Sequence, residues 1–473
     1  MNNTSVENLV GRYDQDEKTL DKVKTDFGKI AEGQPIGCLF PKTIGDIQSI
    51  IKHCKDEDIP VITRGMSHSA SGQCLINGGV VINIKTLNKV LDIQFDGQNG
   101  YVITEAGITW ENLVKATLEV GATPPTITDW QKLTVGGSIS TGGLGFMSYL
   151  KGVQADNILA LDVVVASGDL IHCSRTENTD LFNLVRAGLG QFGVIVKVKM
   201  KLEKAPITMH VFKMMIPTTN DFHELSKRLT EECKFACIHS FLIPNNKKDF
   251  EKKMGQQVIE ENIKYFQTAL DAAEGFSYFV ELVQYEYKEE AFQLANDGFD
   301  VFTHYEKDDY FEYITKEPPL IATEKERGKT AHPELAVFIA KSKFESFMKE
   351  FLKRHHAEDM SDGPVLCIPM TSGQIETPLF VHPEEDFYFI GILRNAYPNT
   401  KERIAYLTGL NEVLYSIALE LGGNRYPVDS MAKPYNRKTW SEHYGKAWEA
   451  MSNGKSKYDA ENRFQSLLNM FGE

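Results

Sequence analysis

The stretch Arg64–Gln73 reads RGMSHSASGQ, with three serines, an alanine and two glycines around one histidine and no bulky side chain after Met66. A loop this bare lets backbone N–H groups approach an anion closely as a concave nest of dipoles. The hydroxyls of Ser67, Ser69 and Ser71 would add donors. A second such stretch, TVGGSISTGGLG from Thr134 to Gly145, holds five glycines and four hydroxyls in twelve residues. Together the two suit a diphosphate and an extended cofactor lying between them. Either one alone fits a plain tight turn equally well, and a lone histidine is usually just hydrogen-bonded.

The elements that must position these loops are legible around them. DIPVIT before the first loop and GGVVINI after it read as short strands. VLDIQF, YVITEAG, ALDVVVASGDLI and VIVKVKMKL add β patterns, and TIGDIQSIIKHCKDED is a helix with a threonine cap. Strands and helices mixed without strict alternation predict an α+β fold. After Pro206 the texture changes to long helical runs between alternating strands such as YFVELVQYEY, ELAVFIAKS and FYFIGIL. The expected organisation is a first domain over 1–206, a second α+β domain over 207–435 with an antiparallel sheet covered by helices, and a return of 436–473 to the first.

GLGQFG, Gly188 to Gly193, matches G-x-G-x-x-G to the letter. A nicotinamide site needs a strand before that motif and a helix after it. Here the helical pattern TDLFNLVRA precedes and the strand VIVKVKMKL follows, so the match reads as a helix-to-strand turn.

Composition narrows the function class. With 42% hydrophobic and 25% charged residues the 473-residue chain is of globular type, long enough for two domains. A net charge of −14 with scattered basic residues gives no nucleic-acid footprint, and no apolar run is long enough to cross a membrane. The N-terminus has neither a basic nor an apolar leader pattern, which predicts a cytoplasmic protein. Seven dispersed cysteines form no disulfide framework and no metal-ligand set. A monomer is expected.

PKTIGDI, RGMSHSASGQ, EAGITWENL, LTVGGSIS and GLGQFGVI resemble the PCMH-type FAD-binding domain of vanillyl-alcohol-oxidase-type flavoproteins. Within that superfamily the chain resembles cytokinin dehydrogenases. TDWQKLTVGG is similar to the family's T-D-Y-L-x-L-T-V-G-G, HPELAVFIAKS to H-P-W-L-N-L-F-V-P-x-S, and KSKYDAENRF to K-x-x-Y-D-P. The resemblance implies FAD bonded covalently through His68. It further implies contacts to FAD from Arg64, Gly65, Met66, Ser67, Ser69, Gln73, Asp129, Thr134, Gly136, Gly137, Ser140, Gly143, Val194 and Ile195. It makes Asp129 the catalytic carboxylate that accepts the proton of a substrate's exocyclic amine, and Glu281 of FSYFVEL a group that meets the purine edge. On composition alone Asp129 is an ordinary turn carboxylate. Glu281 on an apolar strand either faces solvent or meets a donor such as a purine N–H.

The implied reaction is oxidative cleavage of an N6-alkyl adenine, a small-molecule substrate, with oxygen or a quinone as electron acceptor. The alternatives are a berberine-bridge-like or alcohol oxidase and a flavin- or purine-binding protein of low turnover. Berberine-type enzymes attach flavin through a cysteine as well, and the second glycine stretch has none. Departures from the family pattern are Ser67 for glycine, Leu282 for glycine, Glu334 for tryptophan, GFMSYLKG after the second loop, the shortened MAKPYN, and the closing DAENRFQSLLNM.

Overall fold

The computed structural model describes residues 9–272, 274–295, 302–316, 330–360, 363–430 and 435–472. Most of the MAKPYN departure, residues 431–434, lies outside the described residues. Three sheets carry the architecture, and the α+β expectation is met.

The first sheet orders its four strands Arg12–Asp14, Gly37–Phe40, Val80–Asn83 and Val61–Arg64. The last three are parallel, so each needs a crossover, and the helix Ile44–Asp56 supplies one of them. Thr43 caps that helix by accepting from Asp46 N, and Ile47, Ile50, Ile51 and Cys54 form its buried stripe. RGMSHSASGQ is thereby launched from the carboxyl end of a buried parallel strand.

The second sheet is antiparallel. It runs Val90–Phe95, Asn99–Glu105, Val194–Lys204, Ile158–Val164 and Leu170–Ser174, with Ala122–Thr123 paired to the long strand. ALDVVVASGDLI is therefore two strands joined by a turn. Gly188–Gly193 joins the helix Thr179–Val185 to the strand Val194–Lys204, as its flanks predicted. The second glycine stretch is not simply a loop: Val135–Thr141 forms a short helix. A side chain at Gly136 would put its Cβ 2.8 Å from that of Ala106, so only glycine lets this helix lie so close to the sheet.

The third sheet is wholly antiparallel, with eight strands ordered Thr303–Asp309, Thr208–Ile216, Phe276–Glu286, Cys237–Pro244, Val365–Met370, Phe387–Ile392, Leu335–Ala340 and Asn424–Arg425. Alternation assigns its two faces. Tyr278 stacks at 4.2 Å on Phe222 of the helix Thr219–Glu232, and Tyr388 at 4.0 Å on Phe344 of the helix Phe344–Leu352. The intervening residues, among them Glu281, His239 and Phe389, face a cavity shared with the two glycine-rich loops.

The tail returns to the first sheet. Val61 N donates to Arg463 O at 2.8 Å, and Leu467 N to Leu75 O at 2.9 Å. Among the described residues no helix is long and apolar enough to cross a membrane.

Candidate active site

A cavity of about 680 Å³ lies between the two glycine-rich segments and the third sheet. The first loop is clamped from three sides. Phe27 N donates to Ser67 O (2.8 Å), Gly28 N to Ser69 O (3.0 Å) and Ala70 N to Val428 O (3.1 Å). Gln73 Nε2 reaches Pro427 O and Asp429 O at 3.2 and 3.0 Å. Asp26 accepts from Gly72 N at 2.7 Å, and burial pushes its carboxyl up to about 6. The two loops touch: a Cβ on Gly65 would lie 2.2 Å from Thr134 Oγ1, which leaves no room for a side chain at position 65.

Ser67 occupies the left-handed region, with φ +56°. That conformation suits the glycine the family has there and costs a serine roughly 1–2 kcal/mol. Its hydroxyl donates to Met66 O at 2.6 Å, and Ser69 Oγ donates to Asp26 at 3.4 Å. Ser140 Oγ is likewise committed to Gly136 O at 2.8 Å. The Ser67 and Ser69 hydroxyls, two of the expected extra donors, are thus engaged by the protein itself, and the small backbone surface remains as a binding feature.

The sequence-predicted residues Gly65, Met66, Ser67, His68, Ser69, Gln73, Asp129, Thr134, Gly136, Gly137, Ser140, Gly143, Ile195 and Glu281 all line this cavity. Arg64 and Val194 do not. The Arg64 guanidinium binds Thr25 O (2.7 Å) and Val23 O (3.3 Å), and Val194 is buried in the second sheet. Thr63 and Gln154, which sequence reasoning passed over, are on the wall instead. Thr63 Oγ1 and both polar atoms of Gln154 are buried without a hydrogen-bond partner among the described residues. Orphaned polar atoms beside bare glycine backbone fit a polar, extended group such as FAD.

His68 is held between rings. Its centroid is 4.1 Å from that of Phe27 and 4.2 Å from that of Trp130, edge to face. Phe27 in turn stacks on the buried His332 at 3.9 Å. Trp130 follows Asp129, so one loop, Thr128–Leu133, presents both the carboxylate and a wall for the imidazole. Backbone bonds from Trp110 N to Leu133 O (3.0 Å) and from Val135 N to Ile108 O (2.9 Å) pin that loop.

Across the cavity, Lys213, Glu281 and His239 stand abreast on three neighbouring strands. His239 Nε2 lies 3.6 Å from Asp129 Oδ1, with the Asp129 side chain 46% exposed to the cavity and His239 buried. Burial opposes a charged imidazole here. The sulfur of Cys237 and the Asp129 carboxylate outweigh it and carry the His239 pKa well above its ordinary value. Burial also raises the Cys237 thiol. Glu281 does not face bulk solvent: it accepts from the Tyr313 hydroxyl inside the cavity. Phe146 packs 4.9 Å from the His239 ring.

Phe27, Trp130, His239 and Tyr313 were not predicted. The signal for His239 was present in CIHSFLIP, where a histidine takes an inward position of a strand. Nothing local marks Phe27 or Tyr313.

Residues 35–174 match the family described as FAD binding domain, and residues 210–466 match the one described as cytokinin dehydrogenase 1, FAD and cytokinin binding. An uncharacterized oxidoreductase of the fasciation locus of Rhodococcoides fascians is 28% identical over 95% of this chain and 97% of its own. Cytokinin dehydrogenase 1 of Arabidopsis thaliana is 28% identical over 93% of this chain and 79% of its own. Among solved structures, 6-hydroxy-D-nicotine oxidase from Arthrobacter nicotinovorans superposes with a TM-score of 0.67 at 18% identity, covering 98% of both chains. A VAO-type flavoprotein from Myceliophthora thermophila gives 0.70 at 14% identity, covering 92% of this chain and 79% of that one. At such identities these two speak for the fold alone.

Proposed function

The chain belongs to the cytokinin dehydrogenase family of FAD-dependent oxidoreductases, and from that premise we propose that it oxidises the C–N bond joining an alkyl group to N6 of an adenine. The observation that carries this reading is Asp129, aimed into the cavity that His68 lines and fixed 3.6 Å from His239. Bound FAD supplies a two-electron acceptor for the hydride leaving the carbon next to N6. Asp129 accepts a hydrogen bond from the exocyclic N–H and takes its proton as the C–N double bond forms. Water then adds to the imine carbon, and adenine and an aldehyde separate. His239 orients the Asp129 carboxylate across that contact, as a positioning residue. Glu281, shared with Tyr313, turns an acceptor toward the purine edge.

In this reading the glycine-rich loops hold the cofactor through the residues on the wall, and Phe27 and Trp130 fix the His68 imidazole for a covalent bond to it. The domains divide as 1–206, 207–435 and 436–473, in a cytoplasmic monomer that passes its electrons to oxygen or a quinone.

Anaerobic mixing with N6-isopentenyladenine tests the reaction. Rapid bleaching of the flavin absorbance is expected, and its absence at millimolar substrate overturns the assignment. Bleaching by alcohols alone would move the protein to the alcohol oxidases. The covalent bond is tested separately. A denaturing gel viewed under ultraviolet light should show a fluorescent band that disappears in His68→Ala; a dark wild-type band rules the bond out.

A further inference from the structure

The cavity wall that the third sheet and its flanking segments form is crowded with charge, and almost all of it is internally matched. Glu281 accepts from Tyr313, Glu306 accepts from Lys213 at 2.5 Å and lies 3.2 Å from His304, and Asp308 pairs with Lys316. Asp129 has His239. Lys253, on the helix Lys247–Met254, is different. Its ammonium reaches the cavity wall half-buried, 4.4 Å from the Phe241 centroid and 5.6 Å from that of Phe279. Among the described residues it has no carboxylate within ion-pair distance. Burial brings it down to about 8, with the Glu281 charge too remote to compensate. Aromatic faces offset only part of the cost of desolvating a cation. Phe241 lies 6.3 Å from His239, so Lys253 sits one aromatic layer beyond the proposed amine-binding carboxylate.

We propose that Lys253 forms an anion subsite, and that the preferred substrate is an N6-alkyl adenine carrying an anionic group at the end remote from N6, such as a nucleoside monophosphate. This rests on reading Asp129 as the group that faces N6, and it adds a specificity residue for the same site. An incoming phosphate supplies the counter-charge that the fold withholds, through a charge-assisted hydrogen bond.

The test uses the holoenzyme with N6-isopentenyladenine, its riboside and the riboside 5′-monophosphate. The monophosphate should have a lower KM than the riboside. Lys253→Gln should raise the monophosphate KM roughly 10- to 100-fold more than that of the free base, and Lys253→Arg should restore most of the difference. A monophosphate no better than the riboside, or equal losses for all three compounds in Lys253→Gln, overturns the subsite while leaving the reaction standing. If none of the three bleaches the flavin, a spectral shift on adding the monophosphate, lost in Lys253→Gln, upholds the subsite and overturns only the reaction. No shift overturns both.

Discussion

Asp129→Asn should lower kcat by about 10²- to 10⁴-fold, the range expected when a positioned general base is removed. The amide has the same shape and can still accept a hydrogen bond through its oxygen, but it cannot take the amine proton as the hydride leaves. Flavin absorbance of the purified variant should match wild type, because Asp129 meets the cavity from a loop pinned by backbone bonds rather than by its own side chain. Asp129→Glu should recover part of the rate. The neighbouring imidazole provides a second readout. His239 is held above its ordinary 6.5 against burial, so its pairing adds stability that is fully present below that pH. This stability is lost as pH rises through the raised pKa. In Asp129→Asn burial acts with one opponent fewer, and the His239 titration followed by NMR should move to lower pH. Unchanged turnover in Asp129→Asn would remove it from the chemistry.

Much of this site can be read in the sequence because its backbone-defining residues are contiguous. Gly65 through Gln73, and Thr134 through Gly143, must be small where two chains approach within contact distance, and that requirement is written locally. The two residues off the cavity wall, Arg64 and Val194, follow from taking motif neighbours as a block. Thr63 and Gly65 lie on the cavity wall, so Arg64 between them points away; Ile195 is on the wall, so Val194 is not. The strand period of two held the answer in both places. The second glycine stretch escaped because its helix exists through tertiary packing on Ala106, against the propensity of its glycines. Phe27 and His332 meet over a sequence separation no local pattern can bridge, and the same holds for His239 and Asp129. The G-x-G-x-x-G match has a structural purpose. Its Leu189 N donates to Ser140 O at 2.8 Å, and Ala187 N just before it to Ile139 O at 2.9 Å, so the turn braces the helix under the second loop.

That bracing reaches the carboxyl tail through one buried lysine, and Lys455→Met should cost about 3–5 kcal/mol in denaturant unfolding, as expected when a buried ion pair loses one partner. Lys455 is 6% exposed and Asp459 2%. The ammonium donates to Asp459 Oδ2 at 2.7 Å, to Gln191 O at 3.0 Å and to Phe464 O at 3.0 Å. Methionine fills the space yet leaves two carbonyls without their donor and the carboxylate without its counter-charge. Asp459 keeps the amides of Arg463 and Phe464, at 2.6 and 2.8 Å, so its charge is not wholly abandoned and the loss should fall short of unfolding the chain. The double variant Lys455→Met/Asp459→Asn should therefore be less destabilised than the two single losses added together, since each single change strands the other's charge. Because Gln191 belongs to the turn that supports Ser140, FAD should also dissociate more readily from Lys455→Met wherever it is not covalently held. Stability within 1 kcal/mol of wild type would mean that the tail is anchored by its backbone pairing at Val61 and Leu75 alone.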